Sequence, residues 1–593
     1  MKPKPLSALF LYFLLTLLFL YPIPFEPGRL VSIAPDTFQN LWNFWWVKKS
    51  LLQLHTSPYF TDYLFYPTGT SLAFQTFSPY NSLLAIPLQG IGNRIVAYNF
   101  LFFSSFILAA LGGYLLTFHF VRNRFAAFLA GFVFAFSPYH FSRAMHVNMF
   151  SIQWIPFYCL FLFRLREKPS WTNAAGAGIF LALSAMCDWH YLIYLFLVTL
   201  IYLLYYSATV PRDILSPRFW LSLCFSSILF LILISPFAYP LFSEMRGGGE
   251  SYLYMSVGGE PDLLGFQAVK GYFFFWPVLL GYATLLLSLY AVLLIRERDV
   301  RFWGLVAAFA FVMTLGTHLS VLGKDFPGTP LPFALLQKLP MLRAIHIPYR
   351  FLVIIMLSLS ILSGFAVHTI TEKTRTNKSG RGNRGVVLSC LILFIIGFEY
   401  LAIPRPTYTA DIPPFFERMA REEGDFAVVS LPFRDRGWDL YYQTLHEKKI
   451  SWAYVSRRDP AALEFLSGTP PFHLFLAPDR IQTETISASE MRSCAETLGK
   501  LDVRYVLINK PKRYGDPRRL GRPGSALNML RVGLTPYSLN ETLRKTMVEI
   551  EKSRSNIRTT DEEMARFRGL LDPMLGGPFY EDDEVVVYRV DSK

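Results

Sequence analysis

Residues 32–46 read SIAPDTFQNLWNFWW and follow the first apolar run of the chain. Asp36 is thus an acid near the exit of an apolar segment, with a dense aromatic stretch behind it. A carboxylate so placed can take a proton from a hydroxyl, and general-base assistance of this kind is worth about two to four orders of magnitude in rate. Displacing a lipid-borne phosphate would also call for cations to meet the departing charge. Arg matches phosphate through two parallel N–H donors. Arg343 and Arg350, in KLPMLRAIHIPYRF, stand just before a later apolar run, and Arg143, in SPYHFSRAMHVNMF, is a third option. His146 and Asn148, then Asp188 and His190 in CDWHY, then Asp262 in GEPDLLGF, are further polar residues at the ends of apolar runs. Each has a plainer reading. Asp36 fits a solvated loop acid, Arg350 a side chain snorkelling to headgroups, Asp188 with His190 a helix-end pair, and Asp262 a helix cap. His140 and His146 are six apart, a poor spacing for metal ligands on one helix.

The elements that must position these residues follow from composition. The 593 residues are 52% hydrophobic and 17% aromatic, with 17% charged, where soluble domains carry about 25% charge. Apolar runs that approach the roughly 20 residues needed to cross a bilayer occur at 6–23, 95–118, 125–138, 149–165, 174–188, 190–206, 219–240, 272–295, 302–317, 348–371 and 386–403. The first is long and lacks a small-residue cleavage site, so it reads as an uncleaved helix. The formal charge of +14 is concentrated between apolar runs, a topology signal, and nothing resembles a nucleic-acid module. The five cysteines are scattered and show no metal-binding spacing.

Connecting segments rich in Lys and Arg alternate with a second set at 24–94, 139–148, the turn near Trp189, 241–271 and 318–347. The positive-inside rule places the first set in the cytoplasm. Eleven spans then predict a multi-pass protein of the cytoplasmic membrane, its N-terminus cytoplasmic and everything after Ile403 extracytoplasmic. Residues 37–55 and the stretch 81–93 read as helices lying on the outer surface, with Trp42, Trp45 and Trp46 at headgroup level and Lys48 and Lys49 in water. The ionisable residues gather at the outer ends of the spans, which predicts a cavity open to the outside.

The domain expectation is a multi-spanning region over 1–403, with a long first outer loop at 24–94, and a soluble extracytoplasmic α/β domain over 404–593. FAVVSLPF, VRYVLIN and EVVVYRV read as buried strands, and PPFFERMAREEG, SASEMRSCAETLGKL and ETLRKTMVEIEKSRS as helices.

Several stretches together resemble the C-type (GT-C) superfamily of integral-membrane glycosyltransferases: PDTFQNLWNFWW, FYPTGTSL, FSPYHFSRAMHVNMFSIQWIPF, EPDLLGF, LPMLRAIHIPYRFLVIIMLSLSILSGFAV and VVSLPFRDRGWDLYYQTLHEKKISWAYVSR. They are similar, more narrowly, to a group of bacterial glycosyltransferase-like membrane proteins. The resemblance covers most of residues 1–460. It implies an α-helical polytopic GT-C-like fold and an inverting transfer of a hexosyl or pentosyl group from a polyprenyl-phosphate carrier to a glycan, lipid or protein acceptor. Membrane lipid is then a partner and nucleic acid is not. It implies Asp36 as the first-loop acid and Arg343 and Arg350 as the phosphate-binding arginines. Asp36 stands as Pro35-Asp36-Thr37, without the acidic neighbour of a paired-acid motif, so a divalent cation is left open. Tyr441, Gln443, His446 and Arg457 match the recurring pattern after the membrane region, in contact with an acceptor or in packing.

Two other classes compete. A transporter would place charged residues at mid-bilayer within broken or repeated helices, whereas the spans here are almost all apolar there. A non-catalytic scaffold of the same fold would tolerate replacement of Asp36 and Arg350.

Overall fold

The computed structural model describes residues 4–590 except 33–35, 248–261, 264–265, 269–271, 275–279, 322–323, 340–341, 343–344, 377–383, 402, 404, 406, 435–436, 482–485 and 511–558. It divides into two compact units. One comprises 1–26, 78–81 and 98–405; the other comprises 27–77, 82–97 and 406–593.

The first unit is helical. Each of the eleven apolar runs carries a helix. Among the described residues, five helices are long and apolar enough to cross a membrane: Arg94–Val121, Arg124–Ser142, Trp189–Thr209, Pro217–Arg246 and Pro348–Thr374. Shorter apolar helices include Pro5–Phe19, Trp171–Cys187, Tyr282–Leu294 and Gly385–Tyr400. The run expected at 272–295 is helical only from Tyr282, because Tyr272–Phe274 forms a strand paired with Phe266–Ala268.

Two helices show the extremes of this unit. The segment Pro348–Thr374 is apolar on every side and 94% of its apolar window is buried, as expected for a helix at the centre of a bundle. The helix Pro217–Arg246 is only 17% buried over its window and leaves Leu221, Ile228, Leu231 and Ile232 exposed. An apolar surface of that kind is tolerated in hydrocarbon and not in water. The protein is a multi-pass membrane protein. Gly178 lets the helix Trp171–Cys187 approach Pro217–Arg246 closely, since a Cβ there would stand 2.6 Å from the Ser226 carbonyl.

The second unit is built on a five-stranded sheet in the order Lys449–Ile450, Ala427–Leu431, Val503–Asn509, Val585–Arg589, Tyr580–Glu581. The first three strands are parallel, and Val585–Arg589 runs antiparallel to both of its neighbours, Val503–Asn509 and Tyr580–Glu581. Ala427–Leu431 and most of Val503–Asn509 are buried, in keeping with their continuous apolar sequence. The helices Pro414–Ala420 and Ala488–Lys500 form where their sequences predict; ETLRKTMVEIEKSRS lies outside the described residues.

Part of the first long loop belongs to this same unit. Leu30–Val31 pairs antiparallel with Tyr408–Thr409, and Leu64 bridges Ile450. The helix Asp36–Lys49 is buried along nearly its whole length. This corrects the expectation of a helix lying at headgroup level. Its tryptophans have partners inside the unit: Trp42 Nε1 donates to Gln443 Oε1 at 2.7 Å and Trp46 Nε1 to the Pro58 carbonyl at 2.9 Å. Lys49, expected in water, is buried and pairs with Glu447 at 2.5 Å. An aromatic helix can satisfy its indole N–H groups at a lipid interface or in a protein core, and here the core wins. The helix Pro79–Ile91 leaves Leu83, Leu84 and Ile91 exposed.

Candidate active site

Within the first unit, three short structures bring the predicted polar residues together. The first is a tight turn between two apolar helices. Asp188 ends Trp171–Cys187 and N-caps Trp189–Thr209, accepting from the His190 backbone N–H at 2.8 Å. An N-cap carboxylate in this position satisfies a helix-end donor. The same oxygen, Oδ1, accepts from His190 Nδ1 at 2.6 Å, and Oδ2 accepts from Asn148 Nδ2 at 2.6 Å.

The second is the helical turn Val147–Phe150, which His146 N-caps and which carries Asn148 inward. It is fixed by a buried hydroxyl–amide network: Asn81 Nδ2 donates to Ser78 Oγ and Ser151 Oγ, and Ser78 Oγ donates to the Cys187 carbonyl. Tyr191 adds a hydrogen bond to the Met149 carbonyl.

The third is the 3₁₀ turn Pro348–Phe351 leading into the central helix. Arg350 Nη1 lies 3.4 Å from His190 Nε2. Its neighbour Tyr349 accepts from Arg143 Nη1 at 3.0 Å. Arg143, at the end of the short helix Pro138–Ser142, lies over the rings of Tyr349 and Tyr139, 5.0 and 5.5 Å from their centroids. Stacking of this sort holds a guanidinium without neutralising it.

Asp188 has both oxygens engaged by His190 and Asn148, Arg350 stands one ring away on His190, and Arg143 is held by tyrosines with no carboxylate bonded to it among the described residues. Burial pushes the Asp188 carboxyl up, but the charge and hydrogen bonds of His190, with Arg350 beyond, outweigh it and bring the group down to about 2. The Arg350 Nε and Asn148 Oδ1 are buried without a hydrogen-bond partner among the described residues. A surplus of cations around buried polar atoms is suited to an anion.

The other predicted residues fall elsewhere. Arg343 lies outside the described residues. Asp262 is buried, and the adjacent Leu263 amide donates to the Ser320 carbonyl. It precedes the strand Phe266–Ala268 and not a helix, so it is not the helix cap its position suggested.

In the second unit, Asp36 opens the helix Asp36–Lys49, where the helix dipole favours negative charge. Tyr454 donates to Asp36 Oδ1 at 2.7 Å, and Gln39, one turn on, donates to the Tyr454 carbonyl at 3.1 Å. Together they fix the carboxylate's rotamer. Tyr454 lies 418 residues from Asp36, so no local pattern could have revealed it; its only sequence signal is its place in the run SWAYVSR. Tyr349 had a nearer signal as the neighbour of Arg350.

Of the four residues singled out after the membrane region, Tyr441, Gln443 and His446 are buried. Gln443 is fully buried, accepting from Trp42 and donating to the carbonyls of Tyr63 and Lys448. His446 is buried against Phe416, and Tyr441 donates to the Ala410 carbonyl. Arg457 donates to the Ser456 carbonyl. Among the described residues no group of three or more His, Cys, Asp or Glu is placed to hold a metal ion.

No family model matches the chain, and no curated relative matches it. Solved structures do. The chain resembles ArnT from Cupriavidus metallidurans in the apo state with a TM-score of 0.51 at 12% identity, covering 99% of this chain and 97% of that one. The structure of that protein bound to undecaprenyl phosphate gives 0.49 at 10% identity, over 86% and 92%. The oligosaccharyltransferase of Archaeoglobus fulgidus in its apo form gives 0.49 at 12% identity, over 85% and 69%. The likeness to ArnT, over nearly the whole of both chains, shows that the chain has a GT-C-like fold.

Proposed function

We propose that this protein is a membrane glycosyltransferase that moves a sugar from a polyprenyl-phosphate carrier to an acceptor outside the cytoplasm. Asp36 takes the proton of the acceptor hydroxyl. The acceptor oxygen attacks the anomeric carbon from the face opposite the phosphate, the bond to the phosphate oxygen breaks, and its electron pair leaves on the phosphate. Configuration at the anomeric carbon inverts. Arg350 and Arg143 meet the departing charge, with Asn148 and Asp188 fixing their surroundings; Arg343, His146 and Asp262 are further donor- or acceptor-contacting residues.

The observation that carries this reading is the pair of arginines Arg350, on His190, and Arg143, on Tyr349. With no carboxylate bonded to either guanidinium among the described residues, they match a phosphate ester better than they match a neutral ligand. In this reading the Lys- and Arg-rich connections lie in the cytoplasm and residues 404–593 lie outside it.

The test is transfer by the purified full-length protein in nanodiscs, supplied with a panel of radiolabelled polyprenyl-phosphate sugars and a membrane extract as acceptor source. Label should pass to an acceptor, and the new linkage should carry the anomeric configuration opposite to the donor's. Retention of configuration, or no transfer from any donor, would overturn the reading.

A further inference from the structure

We propose that the acceptor is a glycan, and that Asn43 and Gln75 bind its hydroxyl groups beside Asp36. This rests on the glycosyltransferase reading and names its acceptor class. All the residues involved belong to the second unit. Asp36, Gln39, Asn40 and Asn43 are spaced i, i+3, i+4 and i+7, so they form one polar stripe along the helix Asp36–Lys49, which is otherwise rich in Phe, Leu and Trp.

Two irregular segments lie against this stripe. Tyr454 donates to Asp36 Oδ1, and its carbonyl accepts from Gln39. Asn43 Nδ2 donates to the Thr76 carbonyl at 3.0 Å, and Thr76 Oγ1 stands 2.6 Å from Ser456 Oγ. Gln75 Oε1 accepts from the Ser456 backbone N–H at 2.6 Å. These bonds settle which way each amide faces. Asn43 turns its nitrogen to a carbonyl, which leaves Oδ1 as a spare acceptor. Gln75 turns its oxygen to a backbone N–H, which leaves Nε2 as a spare donor. Both spare atoms are buried without a hydrogen-bond partner among the described residues, on residues that are 1% and 8% exposed. Asp36, Tyr454, Thr76 and Ser456 beside them are half-buried, so the stripe reaches the surface.

One spare acceptor and one spare donor on adjoining segments are what a hydroxyl-rich ligand satisfies, because a hydroxyl gives one proton and accepts at two lone pairs. From Asp36 to Asn43 the stripe runs about 10 Å. That is room for the reacting hydroxyl at the carboxylate and for hydroxyls of the same or the next sugar unit at the amides. An acyl chain would leave both amides unsatisfied. A peptide backbone is most readily taken up along a strand edge, whereas these groups are side chains of a helix and a loop.

The experiment compares wild type, Asn43→Leu and Gln75→Met, all full-length in nanodiscs and checked for a monodisperse elution profile. Binding of a panel of neutral di- and trisaccharides is read by saturation-transfer NMR. Transfer from a radiolabelled polyprenyl-phosphate sugar is then read with the same panel, with Ser-, Thr- and Asn-containing peptides and with phosphatidylglycerol as competing acceptors. At least one saccharide should bind and take the label. Each variant should weaken that binding about tenfold and raise the saccharide KM to match, with kcat and the donor KM within about threefold. If Asn43→Leu does not fold, Gln75→Met carries the comparison, since its loss is confined to one side chain of an irregular segment. Equal saccharide binding in wild type and variants would overturn the proposal and leave the two amides to water. So would the absence of saccharide binding, or label passing only to peptide or to phosphatidylglycerol. If a saccharide binds in a Gln75-dependent way yet no donor gives up its sugar, the glycosyltransferase reading fails and the saccharide site stands apart from it.

Discussion

Arg350 Nη1 lies 3.4 Å from Nε2 of His190, and the opposite nitrogen of that ring is held by Asp188. Arginine has no acceptor, so the guanidinium donates into the Nε2 lone pair while Nδ1 donates to Asp188, and this chain aims Arg350. Its Nε is buried without a hydrogen-bond partner among the described residues, and a phosphate oxygen would supply one. Arg350→Ala is therefore expected to lower kcat/KM for transfer by about 100-fold or more, and Arg350→Lys to recover only part of it, because an ammonium lacks the fork that grips two oxygens. Steady-state transfer kinetics on the two variants check this.

Asp188 sets a pH window. Burial raises its carboxyl, His190 and Arg350 more than offset that, and the folded-state value falls to about 2. A depressed value means that the unfolded chain binds the proton first as pH drops. The stabilisation is therefore complete above about pH 4 and disappears as pH falls toward 2. At pH 7 Asp188→Asn should cost about 2 kcal/mol, read as a lowered melting temperature in detergent, and the difference from wild type should close at the acid end.

The apolar runs were readable because membrane-spanning helices are encoded locally: every run from 6–23 to 386–403 carries a helix. The buried strands Ala427–Leu431, Val503–Asn509 and Val585–Arg589 were readable for the same reason. Partners far along the chain were not. Trp42 has the composition of an interfacial residue, and only Gln443, 401 residues away, makes it a core residue. Asp188 and His190 read as a helix-end pair, which they are. What the local sequence could not contain is Arg350, 160 residues on, facing the same ring.

His446 is a second pH device, and it acts in the same direction. Burial, helped by nearby Lys448, pushes it down to about 3, so the folded protein holds it neutral while the unfolded chain takes up a proton near 6.5. Stability of the sheet unit should fall as pH drops from about 6.5 toward 3, by up to a few kcal/mol. Hydrogen exchange at residues 427–431 and 437–446 of the full-length protein should quicken over that range, and His446→Gln should flatten the dependence.

Gln443 ties the first loop to the sheet unit through Trp42, Tyr63 and Lys448. Gln443→Ala takes this partner from the buried Trp42 indole N–H and the Lys448 carbonyl, at about 1–3 kcal/mol for each unsatisfied group, while the Tyr63 carbonyl keeps the Ile450 amide. Limited proteolysis should then cut within residues 55–77 faster than in wild type, and Gln443→Glu, which turns a buried carboxylate toward the Tyr63 and Lys448 carbonyls, should be no milder.

The most direct measurement is sugar transfer by Asp36→Asn beside wild type, in nanodiscs, at saturating lipid-linked donor. The substitution keeps the side chain's size and an oxygen able to accept from Tyr454, and removes the base. The account predicts a fall in kcat of about 100-fold or more with donor KM little changed. Transfer at the wild-type rate would contradict it.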